Sequence, residues 1–167
     1  MPDIITRDGE IKKDNWTLVP RPEEGESLDL PEGPALIPAD LWVAGKEHYQ
    51  DREDIGIWME SHDEPELVAD YLDALPIIAI NFPKFTDGRG YSLARLLRER
   101  YGYRNELRAV GDVLLDQLQF MKRCGFDSYV LRPDKDIELA AHCLNFFSQT
   151  YQAAGDTDQP LFRRRAS

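Results

Sequence analysis

Short apolar runs alternate with amphipathic stretches along most of the chain. Continuous runs at 35–37, 55–59, 77–80, 107–110 and 128–131 predict strands, because strands buried on both faces of a parallel sheet read this way. Helical spacing of apolar residues predicts helices over 39–50, 65–75, 92–101, 112–124 and 135–152. The alternation indicates an α/β fold built from repeated βα units around a mainly parallel sheet. Since eight units of roughly 30 residues each would not fit, we expect a partial β/α-barrel or an open three-layer sandwich.

The N-terminal part differs from this alternation. Residues 3–6 and the apolar run 16–19 flank the turn dipeptide Asp8-Gly9, which predicts a β-hairpin. Residues 20–34 are rich in Pro, Gly and Glu and read as an exposed connection. We therefore expect a hairpin and linker over 1–34 packed on the domain, a single α/β domain over 35–154, and a flexible basic tail over 155–167.

Composition and charge argue against several classes of protein. The formal net charge of −11 argues against a general nucleic-acid binder. No apolar run approaches the roughly 18 residues of a membrane helix, and the polar N-terminus lacks a secretory pattern, which together predict a cytoplasmic protein without membrane contact. Cys124 and Cys143 read as two reduced thiols, too few to hold an iron–sulfur cluster alone.

The charge is unevenly distributed along the chain. Residues 46–73 contain ten acids and two bases, a net charge of −8, whereas residues 84–108 contain seven bases and three acids, a net charge of +4. Such contrast could steer a protein partner or a small anion. The alternative is ordinary solvated helix faces.

Two loops carry the candidate chemistry. Residues 83–91 and the pair Gly111-Asp112 follow predicted parallel strands, at the edge where α/β proteins bind ligands. The candidate ligand-binding residues are Asp87, Gly88, Arg89, Gly90, Tyr91, Ser92, Arg108, Asp112, Asp116 and Gln117. Glycines permit close backbone approach, Arg89 suits an oxyanion, and Ser92 is a candidate helix N-cap. The alternatives are a tight turn in which Arg89 pairs with Asp112, or a partner contact.

Motifs that would identify a reaction are not found in the sequence. There is no G-x-G-x-x-G, Walker loop, nucleophile elbow or HExxH, so the cofactor and catalytic residues stay unknown. His48 and His62 lie among acids, but their spacing fits no standard metal site, and no metal is predicted.

Three stretches of the chain carry a family resemblance: Asn81-Phe-Pro-Lys-Phe-Thr-Asp-Gly-Arg-Gly-Tyr-Ser-Leu-Ala-Arg95, Glu106-Leu-Arg-Ala-Val-Gly-Asp-Val-Leu-Leu-Asp-Gln117 and Arg123-Cys-Gly-Phe-Asp127. They resemble the DUF934 family of bacterial proteins of unknown function. The resemblance covers about residues 35–155. Members are commonly encoded beside sulfite reductase and are often described as oxidoreductases of sulfite reduction, which implies a role in assimilatory sulfate reduction. It assigns no catalytic residue.

Two functional hypotheses follow from these observations. The first is an accessory protein of sulfate and sulfite reduction that acts with sulfite reductase. The second is an enzyme or sensor, an oxidoreductase among the options, that binds an oxyanion or phosphorylated metabolite at the loop 87–92. A second copy of the chain is a further expected partner, because an incomplete barrel leaves exposed strand edges.

Overall fold

The computed structural model describes residues 2–145 and contains one eight-stranded sheet. The strands are β1 Asp3–Thr6, β2 Ile11–Lys13, β3 Thr17–Leu18, β4 Ala35–Pro38, β5 Ile55–Glu60, β6 Ile77–Phe82, β7 Glu106–Gly111 and β8 Ser128–Tyr129. Their order across the sheet is β2-β1-β8-β7-β6-β5-β4-β3. Neighbours from β3 to β8 pair in parallel, and β1 pairs antiparallel with both β2 and β8. The predicted α/β fold with a mainly parallel sheet is confirmed.

Most of the helices are shorter than the sequence pattern predicted, whereas the predicted helix 92–101 is matched by a continuous helical stretch over 89–100, of which Leu96–Arg100 is π-helical. The α-helices are α1 Ala39–Ala44, α2 Lys46–Tyr49, α3 Arg89–Arg95, α4 Leu118–Cys124 and α5 Ile137–Asn145. The predicted helix 39–50 is interrupted at Gly45, and the predicted helix 65–75 is two 3₁₀ segments, Pro65–Leu67 and Ala69–Ala74. Val68, with φ −120° and ψ 1°, separates those segments. The predicted helix 135–152 begins at Ile137, and its part over 146–152 lies outside the described residues.

The sheet has two different faces because β3 to β8 follow one another in chain order. Right-handed crossovers between strands in this order bring the helices to the same side. On that outer face Ile57, Ile80 and Ala109 join the helical side chains in the main core. The inner face has a smaller apolar cluster made by Leu36, Trp58, Ile77, Ala79 and Val110. This arrangement is a curled half-barrel rather than a three-layer sandwich.

The short connection between β2 and β3 explains the curl. These strands form opposite edges of the sheet, yet only Asp14, Asn15 and Trp16 join them. From Lys13 to Thr17 the chain reaches at most about 14 Å, whereas seven spacings in a flat sheet would separate the edges by roughly 34 Å. The sheet must therefore bend until its two edges approach each other.

The N-terminal hairpin is confirmed, but its predicted second strand was wrong. Asp3 pairs with Lys13 and Ile5 with Ile11, so β2 completes the hairpin. The apolar run 16–19 supplies β3 at the far edge, where Thr17 pairs with Ala35. The sequence pattern did not predict β2 because β2 is mostly polar. An edge strand that is mostly exposed needs little apolar surface.

None of the helices within residues 2–145 is long and apolar enough to cross a membrane.

We expect Gly56→Ala to lower the free energy of unfolding, because Gly56 packs closely against Ile77 on the inner face. A Cβ at Gly56 would lie 2.8 Å from the carbonyl oxygen of Ile77 and 2.4 Å from its Cγ2 atom. Overpacking of this kind destabilises a protein by about 1–3 kcal/mol, which urea unfolding would measure. Gly88→Ala is the control, because no heavy atom lies within 4 Å of a Cβ there. Equal unfolding midpoints for the two variants would contradict this account.

Candidate functional site

The loops that follow β5, β6, β7 and β8 meet at the carboxyl edge of the sheet. Parallel strands end at one edge, so residues far apart in sequence become neighbours there. The loop after β6 and the first turn of α3 contain most of the candidate residues, and side chains from the other three loops contact this segment or each other. The segments 83–91 and Gly111-Asp112 therefore lie near each other at the carboxyl edge, as the sequence predicted.

Asp87 is the centre of the first group of contacts. Its carboxylate accepts hydrogen bonds from Ser61 Oγ at 2.6 Å and from Arg89 Nε and Nη2 at 3.0 and 2.9 Å. The backbone N–H of Arg89 donates to the same carboxylate at 3.1 Å. The Arg89 guanidinium, followed by the Ser61 hydroxyl, holds the pKa of Asp87 well below its usual range. Asp87 is thus an ionised acceptor that orders the loop, which does not suit proton transfer near neutral pH.

Arg89 pairs with Asp87 and leaves one side of its guanidinium toward solvent. Its side chain is 63% exposed, and Nη1 has no hydrogen-bond partner among the described residues. The interpretation in which Arg89 pairs with Asp112 was wrong. The carboxylate two residues away reaches Arg89 more easily, and Asp112 is already bonded elsewhere.

Asp112 and Gln117 hold the backbone of Phe85. Asp112 Oδ2 accepts the Phe85 N–H at 2.8 Å, and Gln117 Nε2 donates to the Phe85 carbonyl oxygen at 2.8 Å. Arg132 Nη1 donates to the other oxygen of Asp112 at 3.0 Å. The Phe85 ring nevertheless stays 51% exposed. Two candidate ligand-binding residues therefore present an aromatic side chain to solvent.

Gly111 allows Asp112 to reach the backbone of Phe85. Its φ of +92° turns the chain sharply at the end of β7, and a Cβ would lie 2.5 Å from the carbonyl oxygen of Phe82. After the turn, the Asp112 N–H donates to that same Phe82 oxygen at 2.8 Å. The predicted helix start at Asp112 was wrong, because its carboxylate is directed to the loop of Phe85 and α4 begins only at Leu118.

Tyr91 and Gly90 serve packing. The Tyr91 ring lies 5.2 Å from Phe82 and 4.8 Å from Phe120, between ring centroids. Burial, and then the nearby Cys124 and Asp116, raise the pKa of Tyr91 above its usual range. A Cβ on Gly90 would lie 2.6 Å from the Phe82 ring, so the helix start approaches β6 closely.

The remaining loop candidates are exposed and make no close contact with the pairs above. Gly88 precedes α3 with a φ of −78°, an ordinary conformation for any residue. Ser92 lies within α3 rather than before it, so its predicted N-cap role was wrong: the helix begins at Arg89 without a side-chain cap. Asp116 is exposed in the 3₁₀ segment Leu115–Gln117.

Arg108 lies apart from the other candidates. It is in the middle of β7 on the inner face, four residues and so roughly 13 Å along the strand from Asp112. Only 2% of its side chain is exposed, and its guanidinium donates to Asp14 Oδ1 at 2.7 Å and to Glu106 Oε1 at 2.8 Å. The structure does not bring Arg108 to the loop of Asp87 and Arg89.

Sequence analysis missed several residues of this edge. They are Ser61 on Asp87, Arg132 on Asp112, the exposed Phe85, and Glu60, which accepts a hydrogen bond from Asn81 at 3.0 Å. Ser61 and Arg132 follow β5 and β8, so applying the strand-end rule to all four strands, not two, would have found them. No signal in the sequence identifies Phe85.

The part of the chain from 2 to 145 has no group of three or more His, Cys, Asp and Glu that could hold a metal ion. The edge instead combines ion pairs with exposed aromatic rings. Fold and edge together define an α/β half-barrel protein with an ordered strand-end loop.

Residues 56–162 match the model of a family described as "bacterial protein of unknown function (DUF934)". This match covers more than half of the chain, and the chain belongs to that family. No curated protein matches the chain, and no solved structure matches it.

The contacts of Asp87 predict a pH-dependent effect of Asp87→Asn. A carboxylate with a lowered pKa in the folded state stabilises the protein above its unfolded pKa of about 3.9, and this contribution is lost as the pH falls toward the folded pKa. We expect Asp87→Asn to lower the melting temperature near pH 7 and the difference from the wild type to shrink below about pH 4. Thermal unfolding over a pH series measures this difference.

Asp116→Asn is the control for that series, since Asp116 is an exposed acid without the Asp87 contacts. A melting-temperature difference for Asp87→Asn that stays constant from neutral to acidic pH would exclude the linkage.

Proposed function

We propose that this protein is an accessory protein of sulfate and sulfite reduction that acts by binding sulfite reductase. The family resemblance supports a role in sulfate and sulfite reduction, because members of the family are commonly encoded beside sulfite reductase. The geometry supports a binding role. At the carboxyl edge Asp87, Arg89 and Asp112 are bonded to neighbouring groups of the chain, which favours an ordered surface over a centre that moves protons.

The presentation of Phe85 carries this proposal. Both polar groups of its backbone are held by side chains from the next loop, while half of its ring faces solvent. Large aromatic side chains on ordered elements are typical hot spots of protein interfaces, since they lose little conformational entropy on binding. Phe120, 50% exposed and in contact with Tyr91, adds a second aromatic ring three residues beyond Gln117.

The charges near Phe85 indicate the character of the partner surface. Lys84 precedes Phe85 directly, and the free side of Arg89 faces solvent from the same loop. A partner that buries the Phe85 ring would match this loop best with an acidic rim around an apolar pocket.

We expect the tagged protein to enrich sulfite reductase components when it is purified from cells growing on sulfate. Phe85→Ala should weaken the complex by roughly 30-fold in dissociation constant, the effect of losing a hot spot of about 2 kcal/mol. Its melting temperature should stay close to that of the wild type, because the ring is half exposed. Affinity purification followed by binding measurements tests both expectations.

Leu96→Ala is the matched control, since Leu96 is also an exposed apolar residue, at 38%, but lies in the π-helical segment Leu96–Arg100 that continues α3. Absence of sulfite reductase from the wild-type purification would refute the accessory role. Equal binding by the wild type and Phe85→Ala would exclude the Phe85 loop as the contact.

A second candidate function is binding of an oxyanion or phosphorylated metabolite at the loop 87–92. The free Nη1 group of Arg89 favours it, together with the exposed Lys84 on the same loop. The pairing of Arg89 with Asp87 weakens it, because the carboxylate already opposes the positive charge.

A thermal-shift series with sulfate, sulfite, phosphate and adenylyl sulfate tests this second function. A ligand present at 100 times its dissociation constant should stabilise the protein by about 2.7 kcal/mol, and Arg89→Ala should abolish the shift. Arg95→Ala is the control, since Arg95 is an exposed arginine paired with Glu99. If none of the anions raises the melting temperature, or if Arg89→Ala keeps the shift, the loop does not bind them.

A further inference from the structure

A pocket of about 350 Å³ opens on the inner face of the half-barrel, away from the loop 87–92. Trp16, Leu36, Val110 and Val130 form its apolar walls. Its volume lies in the range of small-molecule sites, which run from about 300 to 1,000 Å³ and are mostly apolar with a few polar groups. The exposed residues Pro2, Thr17 and Gly111 belong to its lining, so solvent reaches it there.

The walls of this pocket come from one edge of the sheet and from two of its interior strands, β7 and β8. Trp16 precedes β3 at one edge, whereas Val110 and Val130 belong to β7 and the segment after β8. Curling of the sheet brings them together, and the pocket is the space that remains inside. Interiors of small barrels are either filled by side chains or hold one small ligand.

Asp14 and Arg108 are the charged residues that line the pocket, and Glu106 and Ser128, which also bond Arg108, are not part of the lining. The Arg108 guanidinium donates to Asp14 Oδ1, to Glu106 Oε1 and, at 3.1 Å, to Ser128 Oγ. Two carboxylates therefore oppose one guanidinium, and together these groups carry one negative charge. An anionic ligand would meet an arginine that is already neutralised, so this pocket does not suit an oxyanion.

Asp14 supplies an unused acceptor. Its Oδ1 atom accepts the Arg108 Nη1–H at 2.7 Å and the Trp16 N–H at 3.0 Å. Its Oδ2 atom has no hydrogen-bond partner among the described residues, although only 4% of Asp14 is exposed and the residue lines the pocket. A carboxylate oxygen that is accessible from the pocket and has no donor, on a residue that is otherwise buried, favours a ligand that brings an N–H group.

We propose that this pocket binds a small organic cation with an apolar body, such as an aromatic amine. The ammonium group donates to Asp14 Oδ2, and the body lies between the Trp16 side chain and the two valines. Charge-assisted hydrogen bonding and contact with Trp16 both favour a cation over a neutral ring of the same size. This site is independent of the proposed interaction with sulfite reductase.

Three probes of similar size and different charge test the site. Phenethylamine is the cation, phenethyl alcohol the neutral compound and phenylpropanoate the anion, and calorimetry or amide chemical shifts measure their binding to the full-length protein. We expect the amine to bind roughly tenfold or more tighter than the alcohol, and the anion weakest. In Asp14→Asn the preference for the amine over the alcohol should disappear.

Val130→Phe keeps the proposal testable if Asp14→Asn fails to fold. Val130 is half-buried at the pocket wall, and a larger side chain there should fill the space and abolish amine binding. Arg89→Ala should leave it unchanged. No binding of the amine at millimolar concentration, equal binding of amine and anion, or unchanged amine binding in folded Val130→Phe would each overturn the proposal.

Discussion

The fold depends on the buried ion pair between Arg108 and Asp14. It joins the short connection between the two sheet edges to the middle of the sheet. Asp14 belongs to the three residues that join opposite edges of the sheet, and Arg108 is in the middle of β7. Their side chains are 5% and 2% exposed, so the contact is made in the interior. Removing one partner of such a pair costs about 3–5 kcal/mol, because the other charge stays buried without compensation. The pair therefore fixes the bridge across the inner face while leaving a pocket beside it.

The one-sided placement of the helices divides the molecule into regions with different roles. The outer face is filled by helical side chains and forms the main core. The inner face has only a small apolar cluster, beside which Arg108 bonds the carboxylates of Asp14 and Glu106. The carboxyl edge presents ion pairs and half-exposed aromatic rings. The proposed partner surface and the proposed cation pocket use different side chains, although Gly111 of the pocket lining directly precedes Asp112, which holds Phe85.

Apolar runs in the sequence were sufficient to predict the central strands. The runs 77–80 and 107–110 are entirely or mostly apolar, and they form β6 and β7, which lie side by side in the sheet. Weak local signals failed: β2 is polar and exposed, and the helical spacing of 65–75 does not show that Val68 interrupts the helix. At the site, the sequence placed Asp87 and Arg89 at a strand end. It left open which side chains bond Asp87 and Asp112. Ser61 reaches Asp87 from 26 positions away in the sequence, and Arg132 reaches Asp112 from 20 positions away.

The sequence by itself determined the order of the central strands β4 to β8, the mainly parallel sheet and the position of the glycine-rich segment at its carboxyl edge. These follow from apolar runs, turn residues and the handedness of βα units, which are local properties. Only the tertiary structure decided that Arg108 is buried on the inner face, that Asp112 and Gln117 hold Phe85, and that the two sheet edges approach each other. Those features depend on contacts between distant residues, such as Asp14 and Arg108, 94 positions apart. The curvature of the sheet sets such contacts, and no short stretch of sequence encodes it.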